Sequence, residues 1–326
     1  MSDAEGLPPG PRPAAPTPPL QAIRRLLPEL RDLAIHFGLR SLPIETCSTV
    51  GATLGRTMGR RGHPNAEARA RAVLPRLRPD LAAPDALETA LVGLWENVGR
   101  TYAEFSVIHR MLQAECSTLS DPDLLRAISV DVRPLILCFM HVGNWELMGL
   151  QLAVNAGGRP IVAVTMPPAN RAHAFIAARQ RRALPVDLVP MNPRIWNTIA
   201  ERLRRPGGVA WLAGDDVVAG RVFAPHFGRK LRVDGNLGKI VRLAAMTGAR
   251  ILPVYSERLQ GARFVSHLLP LLEVPNQPRD KEMIRAYVEQ IDAIFAPIVR
   301  RLIQQWYMAV EFAEDPDDPV TPAPIS

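Results

Sequence analysis

His141 and Glu146 stand five residues apart, with Gly143 and Asn144 between them, in the stretch LILCFMHVGNWELMGLQLAVNA from Leu135 to Ala156. An imidazole within hydrogen-bond reach of a hydroxyl can take its proton as the oxygen attacks, which is what an alcohol needs to displace a thioester at neutral pH. The imidazole in turn needs a carboxylate on its other nitrogen, to fix the tautomer and stabilise the imidazolium. Glu146 is the acid the spacing offers, because a His at a strand end and a Glu in the first turn of the next helix can meet. Gly143 lets the backbone approach closely, and a helix start presents amide hydrogens to a carbonyl oxygen that becomes negative. No serine or cysteine nucleophile is required, so transfer is expected to be direct, without cofactor or metal. The structural alternative at the same spacing is a buried His followed by a Glu that the helix dipole favours.

The elements that must position these residues are an apolar run, Leu135 to Met140, and an apolar helical run from Trp145 to Ala156, stopped by Gly157 and Gly158. A buried strand that hands a His to its carboxyl end before a tight turn into a helix is where α/β proteins place chemistry. The rhythm continues downstream. Strands are expected at 160–166, 186–190 and 209–213, then at ILPVYSER with ARFVSHLLPLLEV as its partner or hairpin, and last at WYMAVEF, 306–312. Helices are expected at 170–183, 193–204, over GNLGKIVRLAAMTGA, and at 280–305. Alternating strands and helices predict an α/β fold with a mostly parallel central sheet flanked by helices.

Upstream of this core the pattern is helical, giving a helical N-terminal portion over 21–134. LQAIRRLLPELRDLAIHFGLRSL is one helix, interrupted near Pro28. IETCSTVGATLGRTMG carries small residues that permit close packing, and a basic patch of Arg56, Arg60, Arg61, Arg69 and Arg71 follows. In PDALETALVGLWENVGRTYAEFSVIHRML, Asp85 and Glu88 read as a capping box. Residues 1–20 and 313–326 are Pro-rich and read as a disordered arm and a flexible tail around an α/β core at 135–312. The N-terminal amphipathic helices suit either core packing or an anionic lipid interface.

A 47% hydrophobic content excludes a disordered chain, and a formal charge of +7 carried almost wholly by arginine predicts anionic partners such as lipid or an acidic carrier protein. Charge alone also suggests nucleic acid, but no recognition module accompanies the arginines, and no nucleic-acid partner is expected. Cys47, Cys116 and Cys138 have no metal or redox spacing. No signal peptide and no run of eighteen apolar residues is visible.

HVGNWEL resembles the His-x-x-x-x-acid block of the lysophospholipid acyltransferase superfamily, and is closest to its lipid A late (lauroyl/myristoyl) acyltransferases. LWENVGRTYAEF, GGVAWLAGDD, VFAPHFGRK and RLAAMTGARILPVYSER resemble further blocks of that family. The resemblance implies transfer of a fatty acyl chain from acyl carrier protein or acyl-CoA to a hydroxyl of a lipid A precursor or related glycolipid. It also implies a peripheral site on the cytoplasmic face of a bacterial inner membrane. His141 corresponds to the family's base and Glu146 to its acidic partner; Asp215 matches a strand-end Asp and Arg258 an Arg after the late strand. The chain departs from the family pattern in lacking a hydrophobic N-terminal anchor. It departs again in QQWYMAVEF, where Val310, Glu311 and Phe312 replace His and Arg. A lipid-binding protein of the same fold without catalysis, and a thioesterase using water, are the alternatives.

Substrate contacts are expected from Asn144, Trp145, Arg179, Asp215, Arg221 and Arg258. Arg179 is preferred from the basic group Arg171, Arg179, Arg181 and Arg182. Arg221, Arg229 and Lys230 bracket VFAPHFG and are candidates for phosphate, while His226 reads as a packed residue. Trp145 and Trp211 wall either the core or an acyl channel.

Overall fold

A computed structural model describes residues 19–166, 170–181, 186–218 and 221–312. The arm expected at 1–20, apart from the start of the first helix, and the tail expected at 313–326 lie outside the described residues, as does Arg182. The chain opens with helices α1 (Pro19–Ser41), α2 (Ile44–Leu54), α3 (Arg60–Gly62), α4 (Pro64–Leu77), α5 (Pro84–Glu104) and α6 (Ile108–Gln113). Pro28 lies inside a continuous α1. Small residues bring α2 against α5: a Cβ added at Gly51 would stand 2.6 Å from both the Gly99 carbonyl oxygen and the Ala103 Cβ. A π-helical turn over Gly55–Gly59 leads from α2 into α3, and a Cβ at Gly55 would run into the Trp95 carbonyl oxygen.

The start of α5 differs from the capping-box expectation. Ala83 occupies the cap position without a side-chain bond, and Pro84 opens the helix, where its missing N–H costs nothing. Glu88 instead accepts from Arg60 and Arg71, and Glu67 accepts from the same two arginines. Much of the basic patch is therefore neutralised, and α3, α4 and α5 are clipped together.

The core follows as β1 (Ser117–Leu119), α7 (Pro122–Val130), β2 (Leu135–Phe139), α8 (Trp145–Val154), β3 (Ile161–Thr165), α9 (Arg171–Arg181), β4 (Val186–Pro190), α10 (Ile195–Leu203) and β5 (Val209–Ala213). A short antiparallel pair comes next, β6 (Val217–Val218) and β7 (Arg221–Val222), then α11 (Asn236–Thr247), β8 (Arg250–Arg258), β9 (Phe264–Leu268) and α12 (Lys281–Arg301). The main sheet has the order β1-β9-β8-β2-β5-β3-β4. β8, β2, β5, β3 and β4 run parallel; β9 reverses against β8, and β1 follows β9. The fold is thus a mostly parallel sheet flanked by helices, with a helical N-terminal portion that also lends β1 to the sheet edge.

β2 is central and buried along its whole length. Ile136, Cys138 and Met140 join the large cluster under α11 and α12. Leu135, Leu137 and Phe139, on the alternate face, join the cluster built with Met148 and Leu152 of α8. The strand expected at 306–312 is instead a pair of 3-10 turns, Ile303–Gln305 and Tyr307–Val310, with an isolated bridge from Trp306 to Val142 just past β2. Its β-favouring residues serve as packing: Trp306, Val310 and Phe312 are all buried. Among the described residues no helix is long and apolar enough to cross a membrane.

Candidate active site

Phe139 of β2 is in register with Ala213 of β5. Two residues beyond each, the chain leaves the sheet, so His141 and Asp215 emerge side by side at its carboxyl edge. The His141 ring Nδ1 lies 2.8 Å from Asp215 Oδ2, and the His141 backbone N–H donates to the same oxygen at 2.8 Å. A carboxylate beside Nδ1 holds the proton there and leaves Nε2 with its lone pair as the basic atom. The Asp215 side chain is sealed from solvent while that of His141 is 21% exposed, so the acid is protected and the imidazole edge can be reached.

The partner of His141 is therefore Asp215 and not Glu146, the acid that spacing suggests. Glu146 sits half-buried in the first turn of α8. Strand register delivers Asp215 along the line of the ring, whereas the turn between β2 and α8 is committed to other contacts. Gly143 adopts φ +62, and a Cβ there would strike the carbonyl of Ser256. Asn144 caps α8 by accepting from the Leu147 amide at 3.0 Å, and its own amide donates to Glu104 at 2.9 Å. Asn144 is buried with both ends of its side chain engaged, which removes it from the expected substrate contacts.

Arg258 is corrected in the same way. It is buried in a two-pronged ion pair with Glu104, at 2.6 and 3.0 Å, and also donates to Asn97. Glu104, fully buried at the end of α5, also receives the Ser48 hydroxyl. Arg258 and Glu104 thus tie the helical portion to the end of β8 and, through Asn144, to the turn between β2 and α8.

Trp145 does face the site, its ring 4.9 Å from that of His141 and 5.6 Å from that of Tyr307. Tyr307 exchanges a hydrogen bond with the exposed Tyr102 hydroxyl at 2.9 Å. Burial pushes its phenol well above the usual range, so it remains neutral. Arg179 is exposed on α9. It stands close enough to α1 to help Arg40 and, above all, burial hold the His36 pKa down. Arg221 is exposed on β7, paired with Val218 of β6.

Arg229 is a correction to the phosphate reading: it is buried and donates to the carbonyls of Val222, Phe223, Pro225 and His226. His226 resembles His141 in holding an aspartate, Asp292, through Nδ1 at 2.8 Å. Its Nε2 accepts from the Arg232 amide at 3.0 Å, so both nitrogens are used and the ring is structural. Cys138 points to the opposite face of β2 from His141, and burial pushes its thiol up, so it is no nucleophile.

Residues absent from the sequence-based candidates complete the site. Trp306 donates its indole N–H to Asp215 Oδ1 at 2.8 Å, and the Tyr307 amide donates to the His141 carbonyl at 2.8 Å. Their signal lay in QQWYMAVEF, whose composition points to a strand.

The family described as bacterial lipid A biosynthesis acyltransferase matches residues 30–310. The chain is 26% identical, over 74% of its length and 76% of theirs, to phosphatidylinositol mannoside acyltransferases of two Mycobacterium tuberculosis strains. It is 25% identical to the Mycolicibacterium smegmatis protein of the same name, over 55% of this chain and 58% of that one.

Proposed function

The chain belongs to the bacterial lipid A biosynthesis acyltransferase family and is an acyltransferase; from that premise we propose that it moves a fatty acyl chain from a thioester to a hydroxyl of an anionic glycolipid. The observation that carries the mechanism is the His141 ring, open to solvent at one edge and fixed through Nδ1 on a sealed Asp215. Nε2 takes the proton of the acceptor hydroxyl as its oxygen attacks the thioester carbon. The C–S bond then breaks, and the imidazolium returns the proton to the departing thiolate. The Leu147 amide is taken by its cap, so the amides of Trp145 and Glu146 are the helix-start donors suited to the oxyanion.

The acyl chain follows the face of β2 that His141 continues. That row runs through Phe139, stacked on Trp211 with 4.4 Å between centroids, to Leu137 and Leu135. It ends at a small apolar cavity lined by Leu125, Ile128, Leu152, Val209 and the buried Arg159. Arg159 is spent on the carbonyls of Ile128, Arg133 and Gly207.

Acyl carrier protein or acyl-CoA is the donor. The named substrate of the relatives, a phosphatidylinositol mannoside, and lipid A are both glycolipids, and the acceptor here is of that class. Val310 and Phe312, where the lipid A enzymes carry His and Arg, are packed into the core, which favours an acceptor other than lipid A.

The protein works at the cytoplasmic membrane surface. α1 packs on α9 through Asp32, which meets Asn170 and His173. The two helices expose Leu27, Leu30, Phe37 and Phe175 among the arginines Arg31, Arg40, Arg171 and Arg179. Purified protein incubated with labelled acyl-CoA or acyl carrier protein and either glycolipid should acylate the lipid, and His141→Ala should not. Release of free fatty acid without an acceptor would identify a thioesterase instead.

A further inference from the structure

The segment Gln305–Tyr307 lies across the catalytic turn like a strap. The Gly143 amide donates to the Gln305 carbonyl at 3.0 Å and the Tyr307 amide to the His141 carbonyl at 2.8 Å. The Gln305 side chain is fastened to the end of β8, accepting from the Arg258 amide at 2.7 Å and donating to the Arg258 carbonyl at 3.0 Å. Between these anchors Trp306 is fully buried, its ring edge-on to Phe227 and tilted against Phe312.

The indole can only donate, and its one N–H reaches Asp215 Oδ1 at 2.8 Å. Oδ2 of the same carboxylate receives both the ring and the backbone N–H of His141. A carboxylate held at one oxygen can still rotate about its Cβ–Cγ bond. A second donor from a rigid, packed ring removes that freedom.

We propose that Trp306 is a positioning residue of the reaction: its indole N–H fixes the plane of the Asp215 carboxylate, and through it the tautomer and aim of the His141 ring. This rests on the reading of His141 as the base. Phenylalanine at 306 keeps an aromatic ring in the pocket but donates nothing.

The test is steady-state kinetics on the full chain with acyl-CoA and a phosphatidylinositol mannoside. Trp306→Phe is compared with His141→Ala and Asp215→Asn, and thermal unfolding is followed in parallel. Trp306→Phe should lose kcat by roughly 10- to 100-fold, the worth of one hydrogen bond to a charged group, with KM for either substrate within about twofold. Wild-type kcat in a folded Trp306→Phe protein, beside inactive His141→Ala and Asp215→Asn, overturns the positioning role alone. Full turnover in His141→Ala overturns the base assignment and with it this role.

A second measurement needs neither turnover nor a Trp306 variant. In protein labelled with 15N-tryptophan, His141→Ala should shift the indole resonance of Trp306 through the shared carboxylate and leave that of Trp196 in place. An unmoved Trp306 signal overturns the coupling.

Discussion

The proposed catalytic base, His141, has two carboxylates within the same sheet edge and helix turn, and the one bonded to its Nδ1 is Asp215. Asp215 accepts the hydrogen bond from His141 Nδ1. Asp215→Asn should therefore present an amide where a carboxylate is needed, favour the wrong tautomer and lower kcat by about 10³–10⁴. Glu146→Gln, in the first turn of α8, should cost less than that. A larger loss from Glu146→Gln than from Asp215→Asn would reverse the assignment of the two acids. The His was legible in the sequence because it ends an apolar run before a Gly-Asn turn. Its partner was not, because 74 residues separate the two and only the register of β2 on β5 brings them together. Asp215 is visible as an acid after a buried strand, but nothing local says which neighbouring strand it will face.

Glu104 shows the same limit at the level of an element. Helix α5 is evident from its apolar period, and its last residue carries a charge that the fold buries completely. Removing that charge in Glu104→Gln leaves the Arg258 guanidinium buried without its counter-ion, and should cost about 3–5 kcal/mol of stability, measured as a lower urea midpoint. An unchanged midpoint would mean that water or another acid replaces the pair.

At the start of α5, Glu88 is held down to about 2 by hydrogen bonds first from Arg60 and then from Arg71. A depressed carboxylate stabilises the fold above its unfolded pKa, near 4.5, and loses that contribution as pH falls toward 2. The helical portion should accordingly loosen over that window. In Glu88→Gln the stability curve between pH 4.5 and 2 should be flatter, and an identical curve would dismiss the clip between α3, α4 and α5. Its partners were readable only as a run of arginines. Pro84 supplied the helix start that Asp85 was expected to give, so Glu88 was available for this pairing.

For the molecule as a whole, the apolar and basic surface of α1 and α9 is the proposed membrane face. Co-sedimentation should be strong with vesicles containing anionic phospholipid and weak with phosphatidylcholine alone. It should decline as salt rises, since surface charge is screened within about 10 Å at 0.1 M. The double variant Leu30→Glu, Phe175→Glu should stay in the supernatant, and its continued sedimentation would place the membrane face elsewhere. The alternation of strands and helices made the α/β architecture readable, but the strand order was not, because apolar runs specify burial and not neighbours. The reversed β9, with β1 beside it, extends the sheet at an edge that no motif marks.

The register that unites His141 with Asp215, and the sequence separation of 91 between Asp215 and Trp306, carry a kinetic implication. Contacts this distant along the chain form late, because their loops must close before they contribute. After dilution from denaturant, ellipticity from the N-terminal helices should return well before enzymatic turnover does, making acylation a timer for the last step of self-assembly.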